Sequence, residues 1–171
     1  MAALHEDLAP AGGSPGPSSR FDHWIVVLAA VLAFVGLCLA GYLAFENLQA
    51  KTGVCTITHG CATVQQSRYG KPFGIPISVP GLALYLALFG LAVTWLKDAR
   101  HLRAQATALA FFAAEAGFVV SVYLTYIEGW VLDAWCIYCI TSACLMTALA
   151  LLWLVVLIRT ARRRSSEASQ G

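Results

Sequence analysis

The chain has 171 residues, of which 59% are hydrophobic and 12% charged, and its formal net charge is +2. Soluble domains run roughly 45–50% apolar and about 25% charged, so this composition excludes an ordinary water-soluble globule, a disordered chain and a small disulfide knot. The slight positive balance gives no ground for a nucleic-acid partner, and a small one-domain membrane protein is left.

Residues 1–20 contain the run PAGGSPGPSSR with no apolar period, which predicts a flexible tail. The segment has neither the basic start nor the cleavage site of a signal peptide. Four apolar runs follow, at about 24–45, 79–96, 104–127 and 136–158. Each is close to the ~20 residues a helix needs to cross a bilayer core. Ser78 is a candidate N-cap for the second run, and Pro80 stands in its first turn, where a missing N–H costs nothing. The connection 46–78 is long for a helix bundle, and long ordered loops are often functional. Within it KPFGIPISVP, with three prolines, leads the chain back toward the bilayer. The expected architecture is all-α: a four-transmembrane-helix bundle at 21–159 with a capping loop at 46–78, then a basic C-terminal tail at 160–171.

Lys and Arg counts orient such a bundle, because basic loops stay cytoplasmic. Arg20, Lys97, Arg100, Arg103, Arg159, Arg162, Arg163 and Arg164 fall on one side, against Lys51, Arg68 and Lys71 on the other. Both termini are therefore expected in the cytoplasm and the capping loop outside it. Trp24, Trp95 and Trp153 are expected near the inner interface, and Trp130 and Trp135 near the outer one.

Four of the six cysteines then fall on the outer side, the compartment where disulfides persist. Cys136 and Cys139 form a C-x-x-C at the start of the fourth span. By spacing this is a redox or metal motif, and a helix N-terminus stabilises a thiolate. Asp133 is a candidate cap for that helix, and Trp135 a candidate shield. Cys55 and Cys61 lie in the loop, flanked by Gly53 and Gly60, which permit the turns a short disulfide loop needs. Two dithiols within reach pass electrons through mixed disulfides. The competing readings are a static loop disulfide with two buried structural thiols, and a Cys₄ metal site with His59 nearby. Cys38 and Cys144 read as small packing residues. Glu115 is a lone acid deep in a span, structural or proton-carrying. Tyr123, Tyr126 and Tyr138 put aromatic rings near the C-x-x-C, a setting that suits a lipid-soluble two-electron acceptor.

Three features together resemble the vitamin K epoxide reductase family in its bacterial disulfide-forming branch: the loop pair Cys55 and Cys61, the following CATVQQSRYGKPFG, and CIYC on the last of four spans. The resemblance runs from about Trp24 to Ile158. It implies a quinone-dependent thiol-disulfide oxidoreductase in which Cys136 and Cys139 are the pair beside the quinone, with Cys139 nearest the ring. Cys55 and Cys61 are then the shuttle pair, and Ser67, Tyr69, Leu124 and Tyr138 line the pocket. It further implies a quinone of the menaquinone or ubiquinone type, no metal, a separate thioredoxin-like extracytoplasmic partner, and a place in the bacterial cytoplasmic membrane. Animal members carry a tyrosine four residues after the C-x-x-C and an asparagine before the second helix. Here Ala143 takes the first place, and no asparagine stands near Ile77 or Ser78. These departures favour plain quinone reduction over epoxide reduction, which stays as the neighbouring alternative. The other four-helix disulfide-forming oxidases carry their C-x-x-C in the first outer loop, the reverse of the order here.

Overall fold

The structure, a computed structural model, describes residues 17–48, 63–64, 67–71, 74–97 and 102–169. Cys55, Cys61, His59 and most of the expected capping loop lie outside the described residues. Among the described residues there are four long helices and no strand: α1 (Pro17–Leu48), α2 (Ser78–Lys97), α3 (Arg103–Tyr126) and α4 (Ile137–Ala168). Every helix contains a stretch long and apolar enough to cross a membrane, and only 22–33% of each stretch is buried within the bundle. Leu28, Phe34, Leu86, Phe112, Val119 and Leu151 are among the large apolar side chains that face outward on all four helices. Apolar surface on that scale is incompatible with a water-facing monomer and matches a lipid surround.

The four helices form a closed ring, α1 on α2, α2 on α3, α3 on α4 and α4 back on α1. Their shared core is rich in small residues, including Ala29, Ala33 and Ala40 of α1, Ala92 of α2, and Ala106, Ala110 and Ala114 of α3. Helices in lipid associate through close packing, and small side chains let the backbones approach. Gly36 shows how tight this becomes. A Cβ there would sit 2.1 Å from the Tyr85 ring, so α1 gives up a side chain to seat that aromatic. Tyr85 then spans the ring diagonally, its hydroxyl 2.9 Å from Ser142 Oγ on α4.

Two helices run past the apolar stretches that announced them. α1 starts at Pro17, taking in residues expected to be tail, and α4 continues through the basic segment after Ile158. The reason is a polar clamp between them. Asp22 is buried, and its Oδ1 accepts from Arg159 Nε at 2.6 Å while its Oδ2 accepts from an Arg163 terminal nitrogen at 2.5 Å. Arg159 and Arg163 are four residues apart, hence on one face of a helix, and helical geometry must persist to present both. Arg159 also lies 4.7 Å over the Phe21 ring. The tryptophans also divide by burial, which the expected interface positions do not specify. Trp24 and Trp130 are outward, but Trp95 and Trp153 are core residues, Trp153 only 1% exposed. Bulky rings fill the space that the alanine-lined helices leave, and Arg103 stacks on Trp95 at 4.5 Å. Cys38 and Cys144, expected to pack inside, are exposed on the bundle exterior.

Candidate redox site

The third helix does not end at Tyr126. It widens into a π-helical turn, Ile127–Val131, closed by Leu132 N–H donating to Ile127 O at 3.0 Å. Such a turn holds an extra residue and is frequent at functional sites. It carries Glu128 inward, where the side chain is 1% exposed. Glu128 then fixes the linker to α4 twice. Its backbone carbonyl accepts from Ala134 N–H at 3.0 Å, and its Oε2 accepts from Cys136 N–H at 3.1 Å. The second bond satisfies an N–H at the start of α4 that has no partner within the helix, and it sets negative charge at the positive end of the dipole. Asp133, the expected cap, is exposed and takes a left-handed φ of 45° in the linker, a conformation Asp tolerates. Gly129 lies under the Trp135 ring, with room for a Cβ only at 3.2 Å, so Trp135 folds back over the turn that holds Glu128.

Cys136 ends this linker fully buried, and Cys139 follows three residues later, partly exposed. Residues three apart share a helix face. Neither is in a disulfide in this structure, and the Glu128 carboxyl that holds the Cys136 N–H also reaches the Cys139 side chain. Glu128 Oε1 has no hydrogen-bond partner among the described residues. Val64, three residues after Cys61, is buried against Cys136 in a small apolar cluster bordered by Leu132, Ala134, Tyr138 and Cys139.

Cys139 opens onto a cavity of about 270 Å³ lined by all four helices. Its wall is apolar for the most part: Leu39 and Leu43 from α1, Leu84 and Tyr85 from α2, and Val120 and Leu124 from α3. Tyr138, Cys139 and Ser142 come from α4, and Gly70 and Ile77 close it from the capping segment. The Tyr138 ring lies 6.2 Å from that of Tyr42. Ser78 Oγ is a buried hydroxyl in this wall with no partner among the described residues.

Of the residues expected to line a pocket, the structure brings Leu124 and Tyr138 together with Cys139. Ser67 and Tyr69 are not in the wall. The Ser67 hydroxyl is turned to the backbone, donating to Val64 O at 2.7 Å and accepting from Gly70 N–H at 3.1 Å. Those bonds shape the cap. Gly70 O also accepts from Ile77 N–H at 2.9 Å, which brings these two cavity-lining residues together. Glu128, Ser78 and Tyr85 were not singled out from sequence. An acid at the end of a span reads as an interfacial group, and only Ser78 carried a separate signal, as an N-cap. Among the described residues no group of three or more His, Cys, Asp or Glu could hold a metal, and Cys55, Cys61 and His59 lie outside them.

The site therefore places a buried thiol, a second thiol at an apolar wall, and a carboxylate beside both. One comparison bears on what such a site belongs to. The sequence model of the vitamin K epoxide reductase family matches residues 27–154, from the first span through most of the last, including the loop pair and the C-x-x-C. The chain is a member of that family, whose proteins are membrane oxidoreductases coupling thiol-disulfide chemistry to a quinone electron carrier.

Proposed function

We propose that this protein is a membrane thiol:quinone oxidoreductase that re-oxidises a separate thioredoxin-like protein outside the cytoplasm and so supports disulfide formation there. One observation carries the reading: Cys139 stands in the wall of an apolar cavity, with its C-x-x-C partner Cys136 buried directly behind it. A quinone of the menaquinone or ubiquinone type, when bound, supplies an acceptor for two electrons and two protons. The cavity is just under the ~300–1,000 Å³ typical of ligand pockets. It has room for one ring system, which leaves an isoprenoid tail to the lipid. Leu124 and Tyr138 would flank the ring, and Ser78 Oγ is a hydroxyl at hand for a carbonyl oxygen.

Cys55 and Cys61 serve as the shuttle pair in this reading. A partner thiolate attacks their disulfide, and the freed loop thiolate attacks the Cys136–Cys139 disulfide, returning the loop pair to its oxidised form and leaving the C-x-x-C reduced. Support comes from Val64. It packs on Cys136, and three residues of chain back to Cys61 span at most about 11 Å. Each exchange runs downhill at about 1.4 kcal/mol per 30 mV, so any acceptor more oxidising than the partner drives the sequence. The excess of Lys and Arg on one side supports a topology with both termini in the cytoplasm and the C-x-x-C end outside it. The absence of a tyrosine at Ala143 and of an asparagine near Ile77 or Ser78 favours plain quinone reduction over epoxide reduction.

The test is spectrophotometric. Purified protein in micelles is supplied with a short-chain quinone and a thioredoxin-like dithiol. Wild type is expected to reduce the quinone and Cys139→Ala is not. A Cys139→Ala variant with wild-type turnover overturns the proposal.

A further inference from the structure

We propose that Glu128 is the proton acceptor for Cys139. The inference rests on the redox reading of the C-x-x-C but concerns a residue and a step which that reading leaves open. Oxidation of a dithiol releases two electrons and two protons. The Cys139 thiol must lose its proton to become the nucleophilic sulfur, and it does so at an apolar wall that offers little water to take it.

Three observations converge on Glu128. It is 1% exposed, and an acid buried so far is costly unless something holds it. Its Oε2 is held by the Cys136 N–H at 3.1 Å, which fixes the carboxylate against the start of α4. Its Oε1 has no hydrogen-bond partner among the described residues, while the Cys139 sulfur lies under the influence of this same carboxylate. One oxygen is anchored at the first residue of the C-x-x-C and the other has no hydrogen-bond partner among the described residues, with Cys139 one helical turn further on. The π-helical turn is what creates this placement.

The neighbouring ionisable groups do not offer a substitute. Cys136 is the other half of the couple. Tyr85, facing the cavity from α2, has its hydroxyl tied to Ser142. Tyr138 lies on α4 between the cysteines, and Asp133 in the linker is exposed. The step balances as follows. The Cys139 S–H bond breaks and its proton passes to Glu128 Oε1, giving a thiolate and a neutral carboxylic acid. The S–S bond then forms between Cys139 and Cys136 as the Cys136 proton leaves. The two electrons and both protons, that of Cys139 by way of Glu128 and that of Cys136 released as the disulfide closes, go to the quinone acceptor named above, which becomes the quinol.

Two opposite roles for the carboxylate predict opposite outcomes. A negative charge that merely repels a thiolate makes Cys139 less reactive, so removing it speeds the thiol. A base that takes the proton makes Cys139 more reactive, so removing it slows the thiol. The experiment needs no quinone. The full chain in micelles is reduced and pulsed with iodoacetamide between pH 5 and 9, and alkylation at Cys139 is read by peptide mass spectrometry. Alkylation of the exposed Cys144 in the same sample is the internal control.

Wild type is expected to show a Cys139 rate that levels off across neutral pH, because the thiolate is made by internal transfer. Glu128→Gln keeps an acceptor for the Cys136 N–H but takes no proton. It is expected to lose at least tenfold in Cys139 rate at pH 7 and to climb about tenfold per pH unit, as a free thiol does, with Cys144 unchanged. Glu128→Asp, which restores an acid one methylene short, is expected to recover part of the plateau. An E128Q rate equal to or above wild type at every pH overturns the proposal. A wild-type profile that itself climbs tenfold per unit throughout also overturns it, and needs no variant. If instead the plateau is present but no quinone is reduced, the functional reading fails and the proton transfer stands.

Discussion

Two buried carboxylates sit at opposite ends of this bundle and are treated differently. Asp22, at one end, has both oxygens occupied by guanidinium groups that reach it from four residues apart on α4. Glu128, at the other end, has one oxygen occupied by a backbone N–H and one with no hydrogen-bond partner among the described residues. A buried polar group left short of partners costs roughly 1–3 kcal/mol, so a sequence under pressure for stability alone completes the set, as it does at Asp22. The incomplete set occurs beside Cys136 and Cys139, together with a second unpartnered wall group, Ser78 Oγ, and the cavity. The ends differ in their acids and not in every polar atom, since Trp153 Nε1 is also buried without a partner among the described residues: Asp22 ties two helices together, and Glu128 keeps one oxygen available.

If that division is right, substitutions at the two ends separate activity from stability. The largest effect is expected at the thiols. Cys136→Ala and Cys139→Ala abolish quinone reduction with every thiol donor, because no disulfide can form, while thermal unfolding in micelles shifts little for Cys139, which is only partly buried. Retained turnover with either variant would place the chemistry elsewhere. Next come the loop thiols. Cys55→Ala or Cys61→Ala is expected to lose turnover with a thioredoxin-like protein donor by at least a hundredfold and to keep most of it with a small membrane-permeant dithiol. Equal loss with both donors would mean that the loop pair is structural and not a relay.

How far these residues could be read from the chain itself follows the same division. The four spans and the C-x-x-C at the start of the last depend on apolar runs and short spacings, which are local, whereas Leu124 and Tyr138 as pocket residues were implied only by the family resemblance. Glu128 is different. Its burial depends on a π-helical turn, and one additional residue in a helix leaves no periodic mark in a stretch where almost everything is apolar. The only hints were its position eight residues before Cys136 and the glycine next to it, which accepts the Trp135 ring. The Asp22 clamp was equally hidden. A basic segment after a span reads as a topology signal, and its use as a ligand for an acid on a distant helix is a tertiary fact. The rule about aromatic belts addressed the depth of Trp95 and Trp153, and their packing into the alanine-rich core is a lateral fact that the rule does not predict.

A third substitution probes the wall between the two ends. Gly36→Ala places a Cβ inside the Tyr85 ring, and relief requires Tyr85 to leave Ser142 or α1 to move off α2. Overpacking of this kind costs typically ~1–3 kcal/mol. Because Tyr85 also lines the cavity, the apparent KM for a short-chain quinone is expected to rise several-fold along with the loss of stability. Gly36→Ala with wild-type unfolding and wild-type KM would show that α1 is free to give way, contrary to the close packing seen here.

The smallest effect is the one that completes the comparison. Asp22→Asn keeps the shape and one acceptor oxygen but removes the charge that two arginines share. Arg159 and Arg163 remain 35% and 44% exposed, so solvent already screens much of the attraction, and exposed ion pairs contribute little. The expected loss is therefore about 1 kcal/mol, read as a modest drop in the midpoint of thermal unfolding, with kcat and KM unchanged. The carboxylate at Glu128 should behave in the opposite sense under the isosteric change Glu128→Gln: the Cys136 N–H keeps its acceptor, so unfolding moves little, while thiol reactivity falls. A stability loss at Glu128→Gln larger than that at Asp22→Asn would reverse the assignment of the two acids, since it would mean that the open oxygen of Glu128 was holding the fold and not waiting for a proton.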